Sequence, residues 1–402
     1  MASAEVLFNP LLPEFRDDPY PFYRRLRAED PVHLHPMGFW VLTRYDDVLT
    51  AARDPRFGRE GLHPMLAEVY GDESEPGELP RSMLFRDPPG HSRLRALVAR
   101  PFTAAGVEAM RPQIQSIVDD LLDSALARPA LDVIADLAYP LPFTVICQML
   151  GVPHDDRPEI RQWSADLARS LDALGPLGDA RLRERGRAGR RALGEYFRVL
   201  VAARRRNPRA DLLGTLVAAE EAGDRLTEGE ILTMCVLLFV AGHETTVNLI
   251  GNAVLALLRH PAERERLRDD PALMPAAVEE LLRYDSPVQR FARVPVVDVD
   301  LDGRTIPKGA VVVGAIGAAN RDPAHFAEPD RLDLGRRDNR HLSFGSGIHV
   351  CLGAALARVE AQIAIATLLR RAPKLELATA TPEWRLSSTL RGLKTLPVTP
   401  RH

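Results

Sequence analysis

The segment Phe344-Gly345-Ser346-Gly347-Ile348-His349-Val350-Cys351-Leu352-Gly353 runs straight into an alanine-rich stretch, Ala354 to Leu369, with helical spacing. A cysteine set just ahead of a helix N-terminus meets unpaired N–H groups and the positive end of the helix dipole, and both favour thiolate over thiol. Such a sulfur is a nucleophile or a metal ligand. Gly345, Gly347 and Gly353 remove side chains around it, so a large flat ligand can approach the backbone closely.

Composition narrows the setting. The chain has 402 residues, 46% hydrophobic and 27% charged, with 52 Lys+Arg against 55 Asp+Glu and a formal net charge of -3. That is soluble-globular usage with no overall electrostatic footprint for nucleic acid. Cys147, Cys235 and Cys351 are odd in number, far apart and never in a CxxC pair, which argues against a disulfide framework and a zinc finger. A reducing cytoplasm is the simplest location. The N-terminus lacks the basic and apolar regions of a secretory signal. The longest apolar stretch, Ile231 to Ala241, falls short of the ~20 residues a bilayer requires and reads as a buried helix, with no membrane association.

With no low-complexity linker and no internal repeat, one continuous fold over 1–402 is expected, residues 1–10 being flexible. Apolar positions recur at helical spacing in Pro21–Glu29, Tyr45–Arg53, His91–Arg100, Gly106–Ala127, Pro142–Leu150, Gly189–Arg206, Asp211–Glu221, Glu228–His260, Pro261–Asp269 and Met274–Tyr284. Strand-like runs are fewer: Phe39–Thr43, Val294–Val299 and Val311–Ile316. The fold class is therefore mainly α with a minor β region (α+β). Gly58–Arg81 and Pro323–Phe344 read as long non-periodic connections.

Three further patterns carry chemistry. Ala241-Gly242-His243-Glu244-Thr245-Thr246 lies inside a long helical run, where glycine opens space on one face and threonine hydroxyls loosen the local ladder. Glu280 and Arg283 share a helix face at i,i+3. His91 and Arg95 share one at i,i+4. The arginine run from Arg181 through Arg191 reads as the solvated face of a long helix.

The decapeptide matches the haem-binding loop FGxGxHxCxG of the cytochrome P-450 superfamily, and the resemblance extends from Asp18-Pro19-Tyr20-Pro21 through Leu396-Pro397-Val398. It implies a cytochrome P-450 fold, a single large haem-binding domain with haem b, and Cys351 as the axial iron ligand. Thiolate ligation pushes electron density onto iron and favours O–O cleavage. Phe344, Gly345, His349 and Gly353 would surround the cofactor, with Ala241 in the oxygen-binding groove. By the same resemblance, Thr245 steadies dioxygen or a water during protonation and Glu244 serves the acid relay. His91, Arg95, Arg293 and His349 would neutralise the haem carboxylates, Arg293 being preferred to Arg290. Glu280 and Arg283 would join Arg331 in a buried structural triad.

Positions resembling the family's pocket lining are Leu84, Leu237, Val240, Ala241, Val288, Gln289, Phe291, Thr389 and Leu390, largely apolar. The implied enzyme is a bacterial haem-thiolate monooxygenase that inserts one atom of dioxygen into a bulky lipophilic molecule, with a macrolide or other polyketide intermediate as the leading choice. It would be monomeric and fed from NAD(P)H through a ferredoxin reductase and an acidic ferredoxin, docked on a face to which Arg93, Arg100 and Arg358 contribute. Retention of Glu244 and Thr245 argues against the fatty-acid peroxygenase branch. A haem-thiolate oxidase that couples or desaturates its substrate stays open, as does a haem-free cysteine hydrolase or binding protein. The last needs a base beside Cys351, and His349, two residues away in a tight loop, is badly placed for that.

Overall fold

A computed structural model describes residues 8–10, 12–75, 77–173, 179–221 and 226–401. The chain divides into two compact units: Met1–Gly61, Gln113–Pro140 and Thr245–His402 form the first, Leu62–Pro112 and Leu141–Glu244 the second.

The first unit holds all the described strands. Its largest sheet runs Val32–Leu34, Trp40–Leu42, Val312–Ala315, Arg290–Pro295 and Phe57–Gly58 in spatial order, with Trp40–Leu42 parallel to Val312–Ala315 and the other pairs antiparallel. A three-stranded sheet joins Leu131–Asp132, Pro397–Arg401 and Lys374–Leu377, and Val299–Leu301 pairs with Arg304–Ile306. The expected strand Val294–Val299 is thus two elements. Pro295 has no N–H to continue the ladder, and the exposed Val296 and Val297 turn the chain. Trp40, Leu42, Tyr45, Val48, Val312, Ile316 and Phe326 make the core over this sheet. Phe8 is only 1% exposed, edge-on to Phe15 with its carbonyl held by His35. The expectation of flexibility over residues 1–10 therefore does not hold for Phe8, and Met1–Leu7 lie outside the described residues.

The second unit is helical among its described residues. The expected loop Gly58–Arg81 contains the helix His63–Tyr70, too short to betray its period. The expected helix Gly106–Ala127 is broken into Ala104–Glu108 and Arg111–Leu126, because Pro112 suits only a first turn. Arg157–Arg169 packs against Ala180–Arg206, which begins nine residues before the expected start at Gly189. Gly189 permits the approach, since a Cβ there would sit 2.6 Å from the Trp163 carbonyl oxygen. Arg190 is not solvated as the arginine run implied. It is buried, donating to the carbonyls of Tyr70, Leu79 and Pro80 and so pinning the chain after His63–Tyr70.

The helix Glu228–Arg259 is 32 residues long. It is apolar and long enough to cross a bilayer, but 72% of its apolar window is buried in the protein. The apolar stretch is a core helix, as its sequence implied.

Candidate functional site

The cysteine loop is held from every side within the first unit. Leu342 donates its N–H to Asn320 Oδ1 at 2.7 Å, and the Ser343 hydroxyl donates to the Leu282 carbonyl at 2.8 Å. Gly345 and Gly347 adopt φ of 69° and 70°, a conformation that suits glycine. A Cβ on Gly347 would also sit 2.8 Å from the Ala52 carbonyl oxygen. Arg53 donates to Ser346 Oγ at 2.7 Å, and the Cys351 N–H closes the loop on the Phe344 carbonyl at 2.8 Å. Beneath the loop, Arg358 lies 4.4 Å from the Phe344 ring centroid and makes a two-pronged pair with Glu279 at 2.6 and 2.8 Å. His341 adds a contact at 3.1 Å to the same carboxylate, while its Nδ1 accepts from the Ser343 N–H. Burial alone would raise the Glu279 carboxyl, but the hydrogen bonds from Arg358 and His341 outweigh it and hold the group down to about 2. Sequence reasoning missed Glu279 and His341, whose only signal is adjacency to the motifs at Glu280 and Phe344. Arg358, expected to contribute to a docking face, is engaged under the loop and stays partly exposed. Arg93 is likewise paired, with Glu230.

The consequence is a presented sulfur. Cys351 is exposed just ahead of the helix Ala354–Arg371, whereas Cys147 and Cys235 are buried. Burial pushes the Cys147 thiol up to about 12 and raises Cys235 as well, so neither serves as a thiolate near neutrality. A Cβ placed on Gly353 meets nothing within 4 Å. An exposed sulfur, a helix N-terminus behind it and open space beside Gly353 fit a flat, thiolate-ligated group such as haem.

The acid–alcohol segment sits on the long helix. Leu237, Ala241 and Thr245, at i, i+4 and i+8, are open or half-open, while Ile231–Val236, Leu238, Phe239 and His243 are buried. This stripe of a largely buried helix thus faces accessible space. Glu244 is buried beside that stripe and Val240 is half-buried. His91 and Arg95 lie one turn apart on the helix Gly90–Val98, and Leu84 is half-buried in the turn Met83–Phe85.

On the first unit, Arg293 is buried, donating to the Ala292 carbonyl and lying over Phe291. Arg290 is committed to Ser388 and Thr389. Val288 bridges Leu390, and Gln289 donates its N–H to the Thr389 carbonyl, bringing both segments of expected pocket residues together. The Gln289 side chain does not line this space. It is buried with its amide on the Ser286 carbonyl, filling the place a side chain at Gly317 would take.

Glu280 and Arg283 form the expected buried pair, both with 0% side-chain exposure. Their third member is Arg336, not Arg331. Arg336 Nε donates to Glu280 Oε2 at 3.0 Å, whereas the Arg331 side chain is 61% exposed beside Glu328 and contributes only its carbonyl to Arg283. The chain turns at Glu328, where φ is 44°, before it reaches the two arginines.

The sequence profile described as Cytochrome P450 matches residues 63–382. Cytochrome P450 107B1 of Saccharopolyspora erythraea is 45% identical over 96% of both chains, and the cytochrome P450 monooxygenase PikC of Streptomyces venezuelae is 43% identical over 99% of this chain and 95% of its own. The solved structure of the bacillaene polyketide synthase cytochrome P450 PksS from Bacillus subtilis superposes with a TM-score of 0.88 at 39% identity, covering 98% of this chain and all of that one. An exposed cysteine on a braced loop and likeness along nearly the whole length lead to one conclusion: this chain belongs to the cytochrome P450 family and is a haem-dependent monooxygenase of the bacterial kind that resembles natural-product tailoring enzymes.

Proposed function

We propose that the enzyme hydroxylates or epoxidises a bulky lipophilic intermediate of bacterial secondary metabolism, of the macrolide or polyketide class. The observation that carries this reading is the exposed Cys351 on its braced loop, in a chain whose other cysteines are buried. The likeness to PksS, a polyketide biosynthesis cytochrome P450, supports the substrate class.

Cys351 would be the axial ligand, with Phe344, Gly345, His349, Gly353 and Ala241 around the cofactor and His91, Arg95, Arg293 and His349 neutralising its carboxylates. When bound, haem with a cysteinate ligand supplies the activation of dioxygen with two electrons and two protons. The chain's own work is to hold the sulfur still, offer the Thr245 hydroxyl as an orienting donor, and move a proton at the Glu244 carboxylate. Leu84, Leu237, Val240, Val288, Phe291, Thr389 and Leu390 would orient the substrate. Likeness along nearly the whole length supports reading 1–402 as one haem-binding domain, and in this reading the enzyme is monomeric and cytoplasmic. Electrons pass from NAD(P)H through a ferredoxin reductase and a ferredoxin.

Screening lipophilic macrolide and polyketide intermediates by spin-state shift, followed by product mass, tests this. A product heavier by one oxygen atom is expected. A product that is coupled or desaturated with no oxygen gained would replace the reading with that of an oxidase.

A further inference from the structure

His243 directly precedes Glu244 on the long helix, fully buried at 0% exposure. Its ring packs edge-on to Phe143 and tilted against Phe239, with centroids 5.5 and 5.3 Å away. Nδ1 lies 2.7 Å from the Phe239 carbonyl oxygen, one turn back. A carbonyl only accepts, so Nδ1 carries a proton. Nε2 lies 3.4 Å from Ser164 Oγ and 3.5 Å from Glu244 Oε1. The Ser164 hydroxyl lies 3.0 Å from the Arg161 carbonyl, and donating there turns its lone pair toward the ring. Against an ionised Glu244, an unprotonated Nε2 would set its lone pair toward two oxygens in a buried place, which is unfavourable. A protonated Nε2 meets two acceptors.

We propose that His243 is a positioning residue: an imidazolium, pinned by the Phe239 carbonyl and Ser164, that holds the Glu244 carboxylate ionised and oriented one residue before Thr245. The inference rests on the reading of Glu244 as the proton relay. The pair carries one mobile proton, on Nε2 at rest and on Glu244 Oε1 after transfer, when the ring is left neutral with Nδ1 protonated. Burial makes the arrangement tight, since either charge alone would be costly to enclose.

The direct test is ring-nitrogen NMR of histidine-labelled holoenzyme in its diamagnetic ferrous carbon monoxide form, with the His243 signals identified by their loss in His243→Phe. Both ring nitrogens protonated at neutral pH is the expected result, with Nε2 losing its proton in Glu244→Gln. A neutral His243 ring in the wild type would overturn the proposal. The second readout is peroxide formed per NADPH with a surrogate ferredoxin and reductase and myristic acid as the probe. His243→Phe should raise it several-fold, His243→Gln, whose amide can donate to the same carboxylate, should rescue part of the loss, and Ser164→Ala should have a smaller effect in the same direction. Unchanged peroxide in Glu244→Gln would remove the relay reading itself. Raised peroxide in Glu244→Gln with none in a folded His243→Phe would remove the positioning role alone.

Discussion

Two buried glutamates in the first unit show how pairing and burial compete. Glu280 accepts from Arg283, Arg336, Asn339 and the Asp333 N–H, so its charge is fully met. Glu360, on the helix behind Cys351, is 1% exposed and neither carboxylate oxygen has a hydrogen-bond partner among the described residues. Burial raises its carboxyl well above the ordinary value. Between its unfolded and folded values the native state holds a proton that the unfolded chain lacks, so stability falls as pH rises through that window, at up to roughly 1.4 kcal/mol per pH unit. Glu360→Gln removes this contribution. Denaturant midpoints should show the variant gaining on the wild type from pH 5 to pH 8, and a difference that does not change with pH would be the contrary result. Thr245, half-open on the accessible stripe, gives a prediction about turnover. Thr245→Ala should keep its haem yet divert reducing equivalents to peroxide or water, lowering coupled product roughly a hundredfold if the hydroxyl acts at the low end of proton-transfer contributions. Unchanged product per NADPH would remove its role in protonation.

At the scale of elements, the helix Met274–Tyr284 organises the site's support. Adjacent Glu279 and Glu280 point to different tasks: one braces Phe344 through Arg358, the other anchors the segment around Arg336. Losing one partner of a buried ion pair costs about 3–5 kcal/mol, whereas a surface pair contributes about 0–1 kcal/mol. Arg336→Ala should therefore lower the denaturation midpoint markedly and Arg331→Ala hardly at all. Equal effects would contradict the assignment of Arg336 as the third member. The long helices and the cysteine loop were legible because period and spacing are local properties. Arg336 was not, because the choice between two nearby arginines depends on the path of the chain after Glu328, and the family resemblance pointed to Arg331. The helix His63–Tyr70 was hidden among glycine, proline and acidic residues, and its order owes much to Arg190 binding nearby carbonyls from more than a hundred residues away. Gln289 sat in an apolar list, but its amide serves Ser286.

At the scale of the whole molecule, the fold keeps one cysteine of three available for chemistry. Every brace on its loop, from Asn320, Leu282, Arg53 and Arg358, comes from sequence positions far from Cys351 or from the helix that follows it. Such preorganisation is what a thiolate ligand needs to stay bound through redox turnover. The purified protein, reduced with dithionite and scanned before and after carbon monoxide, tests this most directly. The account predicts a strongly red-shifted Soret band that is lost in Cys351→Ser, and a wild-type protein from haem-replete cells without that band, or a Cys351→Ser variant that retains it, would contradict it.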